Sequence, residues 1–334
     1  MTSAGIYGVG LGVPSRVVTN DDLVAGGLDT SDQWIFDRTG IRERRLADTS
    51  TATSDLAVMA SLQALDRAGV SVDDVDLLLV ATTTPDFMLF PSTACVLQQK
   101  LGLKTIGAVD VSAACSGFSY AVSTATAYVR AGMASCVLVV AADCLSKYLD
   151  WSDRGICVLF GDGAGAVVIG PVRDGFGVIY SRLYSNGSLG DILKVPSGGT
   201  RSPITSDSVL DKSFLIYMNG RQVFKVAIEC VVDAFIEALR VSGLTMDTLD
   251  WFLPHQANLR LIQAIAEKLG FPMSKTLVNI DRYGNTSAAS IPIMMAEAVQ
   301  DGRIQDGHTV LTIGFGAGFT WGVQVIRWGG REGR

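Results

Sequence analysis

Histidine is nearly absent from this chain: only His255 and His308 occur among 334 residues. The six cysteines, at 95, 115, 136, 144, 157 and 230, form no C-x-x-C pair. That spacing excludes the common zinc sites and a disulfide framework, so no metal is expected and the pattern fits a reducing cytoplasm. No apolar run approaches the ~18 residues of a membrane span, and the chain does not open on a basic-then-apolar leader. Charge is sparse as well, 18% of residues with a net −6. A nucleic-acid partner therefore has no bulk electrostatic support, and an acidic partner must find a local basic patch. Apolar residues are plentiful, 48% of the chain, enough to bury a core across about two domain-sized units.

The order of predicted elements repeats. In the first half the helix "SDLAVMASLQALDRAG" precedes the strand "VDLLLVAT". The helix "STACVLQQKLG" then leads to a strand around 105–111, a helix after Cys115 and the strand "SCVLVVAA". The second half runs through a helix over 219–242, the strand "LDWFLP", the helix "NLRLIQAIAEKLG" and the strand "TLVNI". A helix beginning near Ser287 and the strand "TVLTIGF" follow. Asp76 matches Asp250 at an offset of 174, and Val137 matches Val310 at 173. Each half closes with a glycine-rich turn feeding a strand, "GDGAGAVVIG" and "GFGAGFTWGVQVI". The alternation predicts an α/β fold of two duplicated halves, 1–173 and 174–334, with mainly parallel sheets covered by helices and a boundary near 171–176. Charges at Arg221, Lys225, Glu229, Asp233, Glu237 and Arg240 form one narrow stripe on helix 219–242. That predicts a helix buried on most sides, with the small-residue Cys115 helix as its central partner. Residues 181–216 read as an irregular insertion that covers a site.

Cys115 lies where the strand "TIGAVDV" gives way to the helix "GFSYAVSTATAYVRAG". Free backbone N–H groups and the dipole at a helix start favour a thiolate; a packing cysteine is the other reading. Cys136, Cys157 and Cys230 lie in apolar runs and read as packing residues, with Cys95 beside them, while Cys144 fits either role. His308 follows "QDG" and reads as a surface residue. His255, in "WFLPHQANLR", sits between a strand and a helix, and Asn285 precedes "TSAAS" at a third such junction. Ligand sites of parallel sheets gather outside the carboxyl ends of strands, so three convergent junctions outweigh the plainer view of a core histidine. A thiolate accepts an acyl group from a thioester and releases it again. Two neutral N–H donors can hold an enolate oxygen. The set suits a Claisen condensation whose carbanion arises by decarboxylation. Papain-like proteases share the order Cys, His, Asn, but "ACSGF" lacks their C-G-[SA]-C-[WY] signature, which leaves hydrolysis as the lesser alternative. "GVGLGVP" and "GDGAGAVV" miss the G-x-G-x-x-G-then-helix pattern of dinucleotide loops. "GFGAGF" (314–319) offers backbone N–H groups for an oxyanion hole facing Cys115.

Six motifs in order, "TSDQWIFDRTGIRERR", "AACSGF", "SDRGICVLFGDGAGA", "PHQANLR", "RYGNTSAAS" and "GFGAGFTWG", resemble β-ketoacyl-acyl-carrier-protein synthase III. This is the thiolase-fold condensing family that starts bacterial type II fatty-acid synthesis. The resemblance spans about residues 5–328. It implies a layered α-β-α-β-α fold with Cys115 as the acylated nucleophile and His255 and Asn285 as donors to the malonyl thioester. It also implies backbone donors from Cys115 and the 315–318 turn. Trp34 and Arg154 would sandwich the adenine of coenzyme A, and Thr30, Arg38, Phe224, Ala257 and Asn258 match positions around the nucleotide and pantetheine. Lys225 and Arg260 match basic positions that meet acyl carrier protein, with Glu267 interrupting the patch. Phe90, in "TTTPDFMLFPSTAC", falls where the family lines its primer pocket, across the subunit boundary; the tail "WGGREGR" carries no motif. No cofactor is implied beyond the substrates, acyl-CoA and malonyl-acyl carrier protein, and a cytoplasmic homodimer is expected, with no nucleic-acid or membrane partner. The expected reaction is a ping-pong decarboxylative condensation through acyl-Cys115. The alternative is a related acyltransferase or condensing enzyme of a secondary-metabolite pathway. A degradative thiolase would need a second cysteine near 315–318, and a non-catalytic carrier-binding homologue would not need the Cys-His-Asn set.

Overall fold

Two sheets form the frame, their central strands fully buried. In the computed structural model, which describes residues 2–331, the first sheet has the order Ser3–Gly12, Gly163–Val172, Val137–Asp143, Leu77–Ala81 and Gly107–Val111. Its last three strands are parallel and its first two antiparallel. The second sheet has the order Trp251–Pro254, Thr309–Gly316, Thr320–Arg327 and Gly177–Ser185, with only the first pair parallel. Met1 and the last three residues of the motif-free tail lie outside the described residues.

Side chains alternate across these strands because successive Cβ atoms point to opposite faces. Leu77, Leu79 and Ala81 face a core shared with the helix Gly117–Arg130, whereas Leu78 and Val80 face the helices Thr53–Ala68 and Thr93–Leu101. Both faces are covered, which is why the strands read as unbroken apolar runs. Removing one such leucine from water contributes about 1.5–3 kcal/mol. The helices Gly220–Ser242 and Leu259–Leu269 cover the outer face of the second sheet. The result is the expected α-β-α-β-α layering.

The middle layer corrects one expectation. The helix paired with the Cys115 helix is Ser290–Gln300, not 219–242; both middle helices share one core with residues of the two sheets. Ser290–Gln300 is apolar nearly all round, with Ile291, Pro292, Ile293, Met294, Met295, Ala296 and Ala298 buried, as a central helix must be. Helix Gly220–Ser242 buries only one face. Phe224, Ile236 and Val241 flank its charged stripe and stay exposed, so the stripe alone understates its wet side. The "TLVNI" strand also shrinks to a single bridge, Thr276 to Phe252, before the short helix Ile280–Tyr283 begins. The irregular insertion starts only after Ser185, because Gly177–Ser185 joins the second sheet.

The glycines of "GVGLG" are a packing device. A Cβ at Gly8, Gly10 or Gly12 would collide with the carbonyl oxygens of Ala64, Ala60 and Leu56 in turn. Alternate residues of the strand therefore rest on successive turns of helix Thr53–Ala68. Among the described residues no helix is long and apolar enough to cross a membrane.

Candidate active site

The Cys115 junction is a single 3-10 turn, Ala114–Ser116, set between the strand Gly107–Val111 and the helix Gly117–Arg130. Ala114 takes a left-handed conformation at φ 47, costly for a residue with a side chain. Three bonds hold the turn. Ser116 Oγ lies 2.7 Å from the Ala113 carbonyl oxygen and 2.8 Å from Thr320 Oγ1, and Thr320 Oγ1 lies 3.1 Å from the same carbonyl, so the two hydroxyls share it as acceptor. The end of the strand Thr309–Gly316 lies directly against it. A Cβ added at Gly316 would stand 2.7 Å from the Cys115 nitrogen and 3.0 Å from its Cβ, so glycine is what permits the approach.

Cys115 is buried, and burial pushes its thiol up to about 12 against a hydrogen bond from Ser287 that pulls it down. Burial thus works against the helix-start effect that favours a thiolate there. The helix start and neighbouring donors act on the sulfur only as charge develops.

His255 follows the strand Trp251–Pro254 and is 1% exposed. Its ring stands edge-on to Phe315, centroids 5.1 Å apart, one residue from the glycine that touches Cys115. Its Nδ1 lies 2.6 Å from Ser290 Oγ, and that oxygen accepts the Gln256 N–H at 3.3 Å. With one lone pair so occupied, the hydroxyl hydrogen is assigned to Nδ1, a tautomer that leaves Nε2–H as a donor. Burial drives the imidazole down to about 3, so it is neutral. Asn285 is fixed on both sides of its backbone, its N–H donating to Leu159 and its carbonyl accepting from Gly161. Its Oδ1 accepts the Ser287 N–H at 2.8 Å, which leaves Nδ2 as the group available to a ligand. Cys115 packs against Gly316, whose chain neighbour Phe315 meets His255; His255 meets Ser290, and Ser287 meets both Asn285 and Cys115.

A cavity of about 900 Å³ opens from this ring. Cys115, Ser287, Ala317 and Thr82–Thr84 line it together with Leu145, Phe160, Leu193, Ile204 and Phe214, whereas His255 and Asn285 are not among its lining residues. The insertion after Ser185 thus supplies one wall. Phe90 does not line the cavity; it is 82% exposed, while Phe87, Met88 and Leu89 do reach it.

Comparison with known proteins follows the same ground. The family description "3-oxoacyl-[acyl-carrier-protein] synthase III" matches residues 109–187, and that of the synthase III C terminal matches 239–328. A β-ketoacyl-[acyl-carrier-protein] synthase III of Caldanaerobacter subterraneus subsp. tengcongensis is 48% identical over 326 residues, covering 98% of both chains. The chain belongs to the synthase III family. Among solved structures, a synthase III from Thermus thermophilus superposes with a TM-score of 0.90 at 46% identity, covering 98% of this chain and all of that one. The priming β-ketosynthase of the R1128 polyketide pathway gives 0.89 at 36%, with 97% and 96% covered.

Of the other residues expected from the synthase III resemblance, Trp34, Arg38, Arg154 and Asn258 come together. The guanidinium carbons of Arg38 and Arg154 lie 4.8 and 5.0 Å from the Trp34 ring centroid. Arg154 also donates to the Asp29 carbonyl. Asn258 caps helix Leu259–Leu269 through the Arg260 N–H and donates to the Arg38 carbonyl at 3.0 Å. Ala257 is half-buried beside it, Phe224 is exposed, and Thr30 Oγ1 is buried without a partner. Lys225 and Arg260 are exposed and join no ion pair among the described residues.

The remaining cysteines and histidine sort themselves. Cys136, Cys144 and Cys157 are buried, and Cys230 is half-buried. Cys95 is exposed, against expectation, because helix Thr93–Leu101 buries Thr93, Ala94, Leu97 and Leu101 on its other side. His308 is half-buried and accepts the Trp251 indole N–H at 3.3 Å. Sequence reasoning missed Asp143, Ser287, Ser290 and Gly316. Only Asp143 carried a signal, a charge ending the apolar run "VLVVAAD".

Proposed function

We propose that this chain condenses an acyl-CoA primer with malonyl-acyl carrier protein, giving a β-ketoacyl-acyl carrier protein, CO₂ and coenzyme A. The observation that carries it is the pairing of one buried thiol with two neutral donors, His255 Nε2–H and Asn285 Nδ2, and no carboxylate among the three. Cys115 Sγ loses its proton as it attacks the primer carbonyl, the bond to the coenzyme A sulfur breaks, coenzyme A takes up a proton and leaves as its thiol, and acyl-Cys115 remains. Malonyl-acyl carrier protein then enters. Its carboxylate leaves as CO₂, and the electron pair becomes an enolate whose oxygen the two donors hold. The enolate carbon attacks acyl-Cys115, and the sulfur departs. A neutral imidazole suits this role, since its N–H is too weak an acid to surrender its proton to the enolate it holds.

The nucleotide of coenzyme A is assigned to Trp34 and Arg154; the Arg154 guanidinium, now 5.0 Å from the indole centroid, would move outward to admit an adenine between them, with Arg38, Thr30, Phe224, Ala257 and Asn258 around the nucleotide and pantetheine. Lys225 and Arg260 are assigned to the acidic carrier protein. The primer chain takes the apolar cavity beyond Cys115. We place the enzyme in the cytoplasm as a homodimer, an arrangement that would bring the exposed Phe90 to a partner's cavity.

Intact-protein mass after incubation with a panel of acyl-CoAs tests the first step, and release of labelled CO₂ from malonyl-acyl carrier protein tests the second. The expected result is one acyl group per chain on Cys115, consumed on adding the malonyl substrate. Acylation without later CO₂ release would identify a simple acyltransferase instead.

A further inference from the structure

The segment that ends in Asn285 is held by a carboxylate that the reaction above does not use. Glu297 stands on the central helix Ser290–Gln300, with its side chain 14% exposed. Both of its oxygens are filled from one short stretch of chain. Oε1 accepts from Arg282 Nη1 at 2.8 Å and from the Tyr283 hydroxyl at 2.7 Å. Oε2 accepts from Arg282 Nη2 at 2.8 Å and from Asn279 Nδ2 at 2.9 Å. The guanidinium fork fixes the plane of the carboxylate, and the other two donors are buried. All three residues lie just before Asn285, and only Gly284 separates Tyr283 from it.

The same helix holds the other enolate donor. Ser290, whose Oγ lies 2.6 Å from His255 Nδ1, precedes Glu297 by two helical turns, so the two side chains share one face. Gln256 closes the gap between them. Its N–H donates to Ser290 Oγ at 3.3 Å, and its Oε1 accepts the Asn279 N–H at 3.1 Å. Its Nε2 donates to the Pro254 and Leu277 carbonyls at 2.8 and 3.2 Å. Hydrogen bonds therefore run from His255 through Ser290, Gln256 and Asn279 to Glu297. Glu297 does not line the cavity.

We propose that Glu297 is a positioning residue that sets the separation of the two enolate donors, holding the Asn285 segment in register with His255 along one helix face. The inference rests on the reading that His255 and Asn285 hold the enolate. Two donors that meet one oxygen act together only at the right spacing. Acylation of Cys115 does not depend on that spacing.

The test uses the full chain with Glu297→Gln, which keeps side-chain volume but replaces one acceptor oxygen by N–H₂ and removes the charge that Arg282 meets. CO₂ release from malonyl-acyl carrier protein should fall roughly ten- to hundredfold, the scale of a misplaced reacting group, while acyl-Cys115 formation from acyl-CoA stays within about twofold. Tyr283→Phe, lacking one donor of the four, should show a smaller loss in the same step. In an Asn285→Ala background Glu297→Gln should add little, because a single remaining donor has no partner to be aligned with. Losses that multiply instead make Glu297 independent of the donors and overturn the proposal. Unchanged CO₂ release in Glu297→Gln overturns it too, as does an equal fall in acylation, the mark of general loosening. Hydrogen exchange followed by peptide mass gives a readout that needs no turnover. The amides of 279–286 should exchange faster in Glu297→Gln, with those of the strand Val137–Asp143 unaltered; unchanged protection at 279–286 overturns the clamp. Should unaltered protein release no CO₂, the condensing reading fails, and exchange alone decides the clamp. Where Glu297→Gln fails to fold, Tyr283→Phe carries both measurements.

Discussion

Two turns in this molecule are copies of each other. Ala114–Ser116 opens the helix Gly117–Arg130, and Ser287–Ala289 opens the helix Ser290–Gln300. Their first residues, Ala114 and Ser287, are the same 173 positions apart as Val137 and Val310, and both are left-handed, at φ 47 and 54. The duplication therefore preserved a strained backbone twice and put chemistry on it differently. The first turn carries the thiol at its second position. The second carries an alanine there and a hydroxyl at its first, with Asn285 and Ser290 on either side. Even the strand ends that meet the turns diverge: Asp143 lies by the Ser287 turn, and its counterpart by offset, Gly316, lies against Cys115. One backbone device thus presents a nucleophile from one half and donors from the other.

The sharpest way to break that division is to remove each side separately. Cys115→Ala should abolish acyl transfer from acyl-CoA while malonyl decarboxylation persists. His255→Ala or Asn285→Ala should keep acyl-Cys115 formation and lose CO₂ release by roughly 10²–10³, the usual cost of one oxyanion donor. Radiolabelled acylation and CO₂ release, followed separately, check this. The reverse split would make His255 and Asn285 activators of the thiol.

Gly316→Ala is next in size. The new Cβ needs space held by the Cys115 backbone and side chain, so the turn must shift. Displacements of about 1 Å at a reacting group cost roughly 10²-fold. Acylation should fall by about that factor with the melting temperature far less affected; a normal acylation rate would show that the two turns are not so tightly apposed.

The halves also differ in how stability responds to acid. Native His255 has its imidazole near 3 rather than the ordinary 6.5. Between these values the unfolded chain holds the proton and the native one does not, so stability drops by about 1.4 kcal/mol per pH unit as pH falls below about 6.5. Denaturant titrations of His255→Asn should lose that slope. Asp143 has the opposite sign. Its folded form keeps its proton above the ordinary 3.8, so its stability contribution is complete below 3.8 and is lost as pH rises towards the raised folded value. Asp143→Asn should gain stability over the unaltered protein at neutral pH, a gain that vanishes in acid.

The smallest effect lies away from both turns. Trp34→Ala and Arg154→Ala should raise KM for acyl-CoA severalfold, the scale of one stacked cation, and leave kcat nearly alone because they remove uniform binding. Equal losses in kcat would tie the nucleotide mouth to the chemistry instead.

Much of this was legible in the sequence because buried strands and capped helices write themselves as patterns. The runs "LLLV" and "VLVV", the offset of 173–174 and the junction positions of Cys115, His255 and Asn285 all follow from local sequence. The misreadings arose where tertiary packing decides. Helix 219–242 has the same periodic charges whether or not its flanking Ile236 and Val241 are covered. "TLVNI" has strand propensity but reaches the sheet edge for one bridge only. Ser287 and Ser290 could not be told from the serines around them, since their roles depend on which ring or thiol faces them. Gly316 is one glycine of three in its motif, and only the approach of Cys115 singles it out.

The position of the Cys115 thiol near 12 has a consequence for survival under oxidative stress. Peroxide reacts with thiolates in proportion to their ionisation and access. A nucleophile that stays buried and protonated while idle is a poor target, and the exposed Cys95 meets the oxidant first. Irreversible sulfinic and sulfonic damage to Cys115 should therefore accumulate slowly in the idle enzyme, and a bound acyl group blocks it outright by occupying the sulfur.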